Sequence, residues 1–145
     1  LKTVTYGTAS APYLATRVLL RLTEDERQNF PTGSTRVASD TYVDDIMTGA
    51  QSVSEAIFLQ NEIINLLSAG GFSLHKWCSN SPEILNNVLE SSGNKHHEVK
   101  TLGLIWNSNQ DSFKFTVNIK DNNKFTKREI LSQIAKIYDP LGLLG

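Results

Sequence analysis

The chain has 145 residues, a formal net charge of −1 at pH 7 and 39% hydrophobic residues, which suits one domain with a core of its own. Its single cysteine, Cys78, excludes an internal disulfide, and no stretch approaches the ~18 apolar residues of a membrane span. The near-neutral charge argues against a stand-alone nucleic-acid binder, although residues 1–94 carry 6 Lys or Arg against 10 Asp or Glu, whereas residues 95–145 carry 8 against 5.

The first 50 residues predict a helix followed by a hairpin. Ser10 can cap a helix through "YLATRVLLRL", with Pro12 tolerated in its first turn, and "FPTGS" then breaks the chain. "RVASDTYV" and "DIMTGA" are typical of two short strands joined by a tight turn at Val43 and Asp44. Because neither turn position is Gly or Asn, the pattern indicates backbone strain, and strain is concentrated at functional sites.

The residues after the hairpin alternate between helices and strands. A capping box of Ser52 and Glu55 starts a helix that Gly70 and Gly71 end, and its apolar face consists of Ala56, Leu59, Ile63, Leu66 and Leu67. "FSLHKW" predicts a strand, and "SPEILNNVL" predicts a helix with Ser81 as cap.

The last 50 residues predict a hairpin and a final helix. "VKTLGLIWN" and "SFKFTVNI" are expected to pair, and a second capping box of Thr126 and Glu129 starts "KREILSQIAKIY". The predicted fold class is therefore α+β, with an antiparallel sheet packed on helices.

The adjacent carboxylates of Asp44 and Asp45 are the most informative chemical feature. They repel each other, so they must be solvated, paired with cations or bound to metal. Mg²⁺ prefers hard carboxylate oxygens, and nucleotidyl transfer uses two such ions about 4 Å apart. Since strand side chains alternate between faces, the two carboxylates cannot both point straight into one cleft. We expect Asp44, nearer the tip, to be the main metal-binding residue, and Asp45 to act as a second ligand or an electrostatic helper. Taken alone, the pair fits an ordinary acidic turn.

The context of the pair resembles a known family. "YVDD" between apolar strands resembles the Tyr-x-Asp-Asp motif of reverse transcriptases. Four other segments resemble parts of the polymerase palm, in the expected order. "KTVTYGTASAPYLATRVLLRL" resembles the segment under the templating base and incoming nucleotide, and "GFSLHKWCSN" resembles the palm segment that bears a Lys. "TLGLIWN" resembles the hairpin that grips the primer, and "FTKREILSQIAKIYDPLGLLG" is similar to the stretch leading out of the palm in the Bel/Pao family of retrotransposon polyproteins. Together the five segments cover essentially the whole chain.

This resemblance implies roles for individual residues. Asp44 and Asp45 would be the catalytic, metal-binding pair that holds two Mg²⁺ ions in the complete enzyme. Lys76 would be a general acid that protonates the departing pyrophosphate, although a solvated surface Lys fits the sequence as well. The residues implied to line the nucleotide and template side are Gly7, Ser10, Pro12 and Tyr42, and those of the primer grip are Leu102, Gly103 and Trp106. Ser10 also fits a plain helix cap, and Trp106 a core residue.

The resemblance also implies an organisation and an activity. Residues 1–120 would be a partial palm, and residues 121–145 the start of the thumb or connection. The reaction would be RNA-directed DNA synthesis from dNTPs on a primed RNA or DNA template. It would take place in the cytoplasm, within virus-like particles, and would involve no membrane. The fingers, thumb and RNase H would lie elsewhere in the polyprotein. The only Met is Met47 and the last residues are apolar, so we expect a segment of a longer polypeptide. The upstream strand that carries a further metal-binding Asp in polymerase palms has no counterpart in this sequence, so the isolated chain is expected to be inactive.

Two interpretations other than an enzyme of this family concern the same residues. A non-catalytic palm that has become a nucleic-acid-binding or protein-binding module would keep the same fold, and the intact "YVDD" argues against it. A zinc site from His75, Cys78, His96 and His97 has little support, because residues three apart on a strand face opposite sides and no C-x-x-C or H-x₃-H spacing is present.

Overall fold

A computed structural model of the chain describes residues 7–86, 88, 98–101, 104–114 and 126–134. The helices within these residues are α1 Ala11–Asp25, α2 Pro31–Asp40, α3 Val53–Ala69, α4 Pro82–Leu85 and α5 Lys127–Ile134. The strands are β1 Thr41–Tyr42, β2 Asp45–Ile46, β3 Glu98–Thr101, β4 Leu104–Asn107 and β5 Ser112–Lys114. Every pairing between these strands is antiparallel, so the α+β class predicted from the sequence is confirmed.

The chain divides into two compact units. The first takes in Leu1–Trp77 and Ser81–Gly93, and the second takes in Cys78–Asn80 and Asn94–Gly145. The boundary expected between residues 120 and 121 lies outside the described residues, and it stays a prediction.

The core of the first unit forms where α3 packs against α2 and α1. The predicted apolar face of α3 is confirmed, because four of its members are buried and belong to one cluster with Val37 of α2: Leu59, Ile63, Leu66 and Leu67. These positions follow the spacing of one helix face. Partly buried side chains from α1, from the hairpin and from the connections complete the cluster: Leu19, Leu22, Phe30, Ile46 and Leu74.

Both ends of α3 form as the sequence predicts. The Glu55 N–H donates to Ser52 Oγ at 3.3 Å, whereas the Glu55 carboxylate accepts from the Gln51 N–H at 3.2 Å, one residue before the position usual in a capping box. At the other end Gly71 has φ +76, and the Phe72 N–H donates to the Leu67 carbonyl at 2.9 Å. This is the glycine-dependent helix end expected at that position.

The segment "FPTGS" was expected to interrupt the regular structure, but α2 begins within it at Pro31. Gly33 is buried at the contact with α3, and its N–H donates to the Glu62 carboxylate at 2.6 Å. A Cβ at this position would lie 3.0 Å from Glu62 Cβ and 3.1 Å from the Glu62 carbonyl carbon. The glycine therefore allows the two helices to approach closely, a tertiary effect that local turn propensity does not reveal.

Two of the predicted strands are corrected by the structure. Residues 36–40 of "RVASDTYV" are the end of α2, because Val37 is needed on the helix face that packs against α3. Residues 72–79 of the "FSLHKW" region have no regular structure, and no described strand pairs with them. The helix predicted from "SPEILNNVL" starts at Pro82 as expected but is assigned only to Leu85.

The sheet of the second unit is a three-stranded meander in the order β3-β4-β5. The predicted pairing of "VKTLGLIWN" with "SFKFTVNI" is confirmed for β4 and β5, but "VKTLGLIWN" itself contains two strands. Val99 faces Trp106, and Trp106 faces Phe113, so these three side chains form a row across one side of the sheet. Helix α5 begins after Thr126, whose Oγ1 accepts from the Glu129 N–H at 3.2 Å, which confirms that half of the capping box.

Candidate metal-binding hairpin

The hairpin that carries the two aspartates continues directly from α2. The Thr41 hydroxyl donates to the Val37 carbonyl at 2.6 Å, and the Met47 N–H donates to the Asp40 carbonyl at 3.0 Å. Val37 is 2% exposed and Ile46 packs against the same core cluster. The base of the hairpin is thus joined to the core of its unit, while the tip extends away from it.

The turn is as tight as the sequence predicts, and it is strained. Tyr42 pairs with Asp45, so only Val43 and Asp44 lie between the strands. Val43 has φ +57, in the left-handed region. This conformation is a clear outlier for a β-branched residue and costs roughly 1–2 kcal/mol. The expected backbone strain is confirmed at the residue next to the candidate catalytic pair.

Asp44 and Asp45 occupy different parts of the hairpin. Asp44 is the second residue of the turn and Asp45 begins β2, so the alternation of strand faces applies only to Asp45. Both residues are exposed. Two exposed carboxylates supply hard oxygen ligands suited to Mg²⁺, but most of the coordination sphere must come from elsewhere. Among the described residues, no group of three or more His, Cys, Asp or Glu is arranged to hold a metal ion.

Asp40, the last residue of α2, precedes the hairpin, and its carboxylate is engaged by side chains of the same helix. Ser39 Oγ donates to Asp40 Oδ1 at 2.6 Å, and Arg36 Nη1 lies 3.7 Å from Asp40 Oδ2. Partial burial by itself raises the pKa of Asp40, but hydrogen bonds from Ser39 and Thr48 and the charge of Arg36 outweigh it and hold the pKa below its ordinary value of 3.8. The Asp40 carboxylate therefore interacts with side chains on both sides of the hairpin, namely Arg36 and Ser39 of α2 before it and Thr48 after it.

Large apolar side chains are exposed around the aspartates. Tyr42 is 60% exposed, Val43 65% and Met47 40%. Exposed apolar groups clustered within a few residues are typical of a contact surface. The hairpin tip therefore combines two carboxylates with apolar side chains that are available to a ligand or a partner.

The residues implied to line the nucleotide side are found at the start of α1. Gly7 has φ +80, Ser10 precedes the helix and Pro12 lies in its first turn. The role of Ser10 as a side-chain cap is corrected, because its φ of −87° and ψ of −10° are helical and its hydroxyl makes no capping bond. The hydroxyl of an N-cap residue normally reaches the helix from extended backbone, which Ser10 does not adopt.

Lys76 lies in the irregular segment after α3. It is exposed, and its φ of +57° is unusual for a residue with a long side chain. The structure places Lys76 in the same unit as the hairpin, although not on the strand that was expected. Its backbone strain is a feature that the sequence did not reveal.

The residues implied for the primer grip are described only in part. Leu102 and Gly103 lie outside the described residues, between β3 and β4. Trp106 is half-buried in β4, and its Nε1–H donates to Asp111 Oδ1 at 3.1 Å. Sequence reasoning did not single out Asp111, and the available signal was only its place at the end of a polar turn.

The zinc alternative gains no support within the described part of the chain. His75 is exposed and Cys78 is half-buried, and neither belongs to a group of potential metal ligands. His96 and His97 lie outside the described residues.

Comparison with known proteins gives no match: no protein-family model, curated protein or solved structure matches this chain. Within the described residues, no helix is both long and apolar enough to span a membrane.

Proposed function

We propose that the chain is the palm segment of a reverse transcriptase of the Bel/Pao type. The observation that carries the proposal is the strained two-residue turn, which presents the adjacent exposed carboxylates of Asp44 and Asp45 on a hairpin anchored to the core. Resemblance of the surrounding segments to the palm supplies the family. Anchored carboxylates suit a reaction that depends on fixed positions of the reacting groups.

In this proposal the residues of the chain bind and orient the reactants. Asp44 and Asp45 would hold the two Mg²⁺ ions, which would supply activation of the primer hydroxyl and stabilisation of the leaving group. The two aspartates need a further carboxylate from another segment of the full-length protein, because two carboxylates cannot fix both ions. Tyr42 lies beside the primer end, Lys76 donates a proton to the departing pyrophosphate, and Gly7, Ser10 and Pro12 border the nucleotide.

The test is Mg²⁺-dependent primer extension by the 145-residue chain and by the full-length parent protein. We expect extension by the parent and none by the chain alone. In the parent, Asp44→Asn should abolish extension because the amide keeps the shape and loses the charge, and Asp45→Asn should be severe but less complete. Asp25→Asn is the matched control, since Asp25 is an exposed carboxylate in α1 that forms an ion pair with Arg21 of the same helix. Robust extension by the chain alone, or full activity of Asp44→Asn, would overturn the proposal.

The second candidate is a non-catalytic module that binds nucleic acid or protein through the same hairpin. It is favoured by the exposed apolar side chains of Tyr42, Val43 and Met47 at the hairpin, which are typical of a contact surface. Salt-sensitive binding of nucleic acid without any Mg²⁺ requirement, together with no extension by the parent, would support this candidate over the enzyme.

A further inference from the structure

The turn between β4 and β5 is built by its polar side chains. Asn107 pairs with Ser112, so the turn consists of residues 108–111. Asn107 Oδ1 accepts from the backbone N–H groups of Asn109 and Gln110, both at 3.1 Å. The last residue of the turn, Asp111, has φ +47. The turn thus holds Asp111 in a left-handed backbone conformation, which Asp adopts more readily than most residues.

Both oxygens of the Asp111 carboxylate accept hydrogen bonds from separate parts of the second unit. Oδ1 accepts from Trp106 Nε1 at 3.1 Å, and Oδ2 accepts from Asn80 Nδ2 at 3.2 Å. Asn80 belongs to the short segment Cys78–Asn80 and Trp106 belongs to β4. A single carboxylate therefore links that segment to the sheet.

The bond to Asp111 limits the orientation of the Trp106 ring. An indole has one polar atom, the Nε1–H donor, so any side-chain rotamer that points this atom elsewhere gives up the hydrogen bond. The ring also lies between Val99 and Phe113 in the row across the sheet. Packing restricts the position of the ring, and Asp111 selects which edge of it points toward the turn.

The identity of residue 111 is better explained by its two contacts than by the turn. Asn and Gly both take the left-handed conformation more readily than most residues, and either would serve a turn at φ +47. Asn has only one acceptor oxygen, whereas the carboxylate has two, and both donors here require an acceptor. The carboxylate therefore serves Trp106 and Asn80 at once.

We propose that Asp111 is the positioning residue for Trp106: it fixes the indole on the sheet so that the Val99, Trp106 and Phe113 row can hold the primer end of a primer–template. The second part of this inference rests on the proposed function. The first part, the fixed orientation of the indole, can be measured without any enzyme activity.

The first experiment measures the environment of Trp106 in the 145-residue chain. Trp77→Phe leaves Trp106 as the only tryptophan, and its emission maximum and quenching by acrylamide are compared among variants. Asp111→Gly removes the carboxylate and suits the positive φ, Asp111→Asn keeps one acceptor, and Gln110→Ala is the control for a change in the same turn. We expect about a twofold rise in the quenching constant for Asp111→Gly, an intermediate value for Asp111→Asn and no change for Gln110→Ala, because one or two hydrogen bonds of ordinary strength are lost. Identical quenching in Asp111→Gly and Gln110→Ala would overturn the positioning role.

The second experiment measures primer extension by the full-length parent. Asp111→Gly should raise KM for primer–template about threefold to tenfold with kcat nearly unchanged, and Asp111→Asn should recover part of the loss. In a Trp106→Phe background, which lacks the N–H donor, Asp111→Gly should add no further increase. Equal and additive increases in both backgrounds, or a loss of kcat alone, would overturn the proposed link to the primer. If the wild-type parent extends no primer, the proposed function and this link both fail, while the fluorescence result still decides whether Asp111 positions the indole.

Discussion

The hydroxyl of Thr41 donates a 2.6 Å hydrogen bond to the carbonyl oxygen of Val37, and this bond joins the first strand of the hairpin to the last turn of α2. Val37 belongs to the buried cluster, whereas the hairpin tip five to seven residues later is exposed. The carbonyl groups at the end of a helix lack partners within the helix, so the Thr41 hydroxyl satisfies a group that would otherwise depend on water.

Removing this hydroxyl should loosen the hairpin. We expect Thr41→Val to lower the free energy of unfolding by about 1 kcal/mol, the usual net contribution of one hydrogen bond. Thr35→Val is the matched control, because the Thr35 hydroxyl makes the same type of bond to the Pro31 carbonyl, but it is exposed and bonds within α2 and not to the hairpin. Urea unfolding gives the stability, and hydrogen exchange of the Met47 amide, which bonds to the Asp40 carbonyl, reports the hairpin. Equal protection of Met47 in both variants would show that Thr41 does not anchor it.

The strain at Val43 predicts a gain in stability on substitution. Val43→Asn should stabilise the chain by about 1 kcal/mol, because Asn adopts left-handed backbone at much lower cost than a β-branched residue. Val18→Asn is the control, since Val18 is also exposed but lies within α1, where Asn offers no such advantage. Thermal unfolding measures both variants. A lower melting temperature for Val43→Asn would mean that contacts of the Val43 side chain outweigh the strain.

The close approach of α2 to α3 predicts opposite effects at two glycines. Gly33→Ala should destabilise the chain by about 1–2 kcal/mol, because the added Cβ meets the backbone of Glu62, which cannot move as a side chain can. Gly49→Ala should be neutral or slightly stabilising, since a Cβ there meets nothing within 4 Å. Chemical denaturation of the two variants in parallel is the measurement, and equal stabilities would contradict the close-packing role of Gly33.

The difference between these glycines also shows what the sequence could and could not predict. The helix start at Ser52, the apolar face of α3 and the tight turn at Val43 and Asp44 depend on neighbouring residues, and all three are confirmed. The helix α2 was missed because Pro, Thr and Gly favour turns locally, while its stability comes from packing against α3. Local pattern cannot show a contact between residues 29 apart, such as that of Gly33 with Glu62.

The candidate site was predictable to a similar extent. Asp44 and Asp45 stand out in the sequence because two adjacent acids between apolar strands require a physical reason. The roles of Asp40 and Asp111 were missed, because each acts through partners that only folding brings near, namely Thr48 for Asp40 and Asn80 for Asp111. Lys76 was expected on a strand, and its left-handed backbone has no signal in the residues around it.

The lowered pKa of Asp40 makes the stability of the chain depend on pH. Because the folded pKa lies below the ordinary value of 3.8, the ionised carboxylate contributes stability that is fully present above that value and is lost as pH falls through the folded pKa. Asp40→Asn should therefore lower the melting temperature at neutral pH, and the difference from wild type should shrink below about pH 4. Asp25→Asn, on an exposed carboxylate, is the control. A difference that is constant with pH would mean that Asp40 stabilises through packing and not through its charge.

The proposed proton transfer from Lys76 predicts an effect on turnover without an effect on nucleotide binding. In the full-length parent, Lys76→Leu should lower kcat by about 10²-fold or more, the usual contribution of a general acid, while the affinity for dNTP changes little. Leu and Lys both carry a side chain at φ +57, so the backbone strain is the same in the two proteins.

Lys76→Arg separates two roles, because guanidinium keeps the positive charge but does not release its proton near neutral pH. We expect Lys76→Arg to be nearly as slow as Lys76→Leu if Lys76 is an acid, and close to wild type if its charge alone matters. Lys127→Leu, at the exposed start of α5, is the control for loss of a surface charge. Unchanged kcat in Lys76→Leu would return Lys76 to the class of solvated surface lysines.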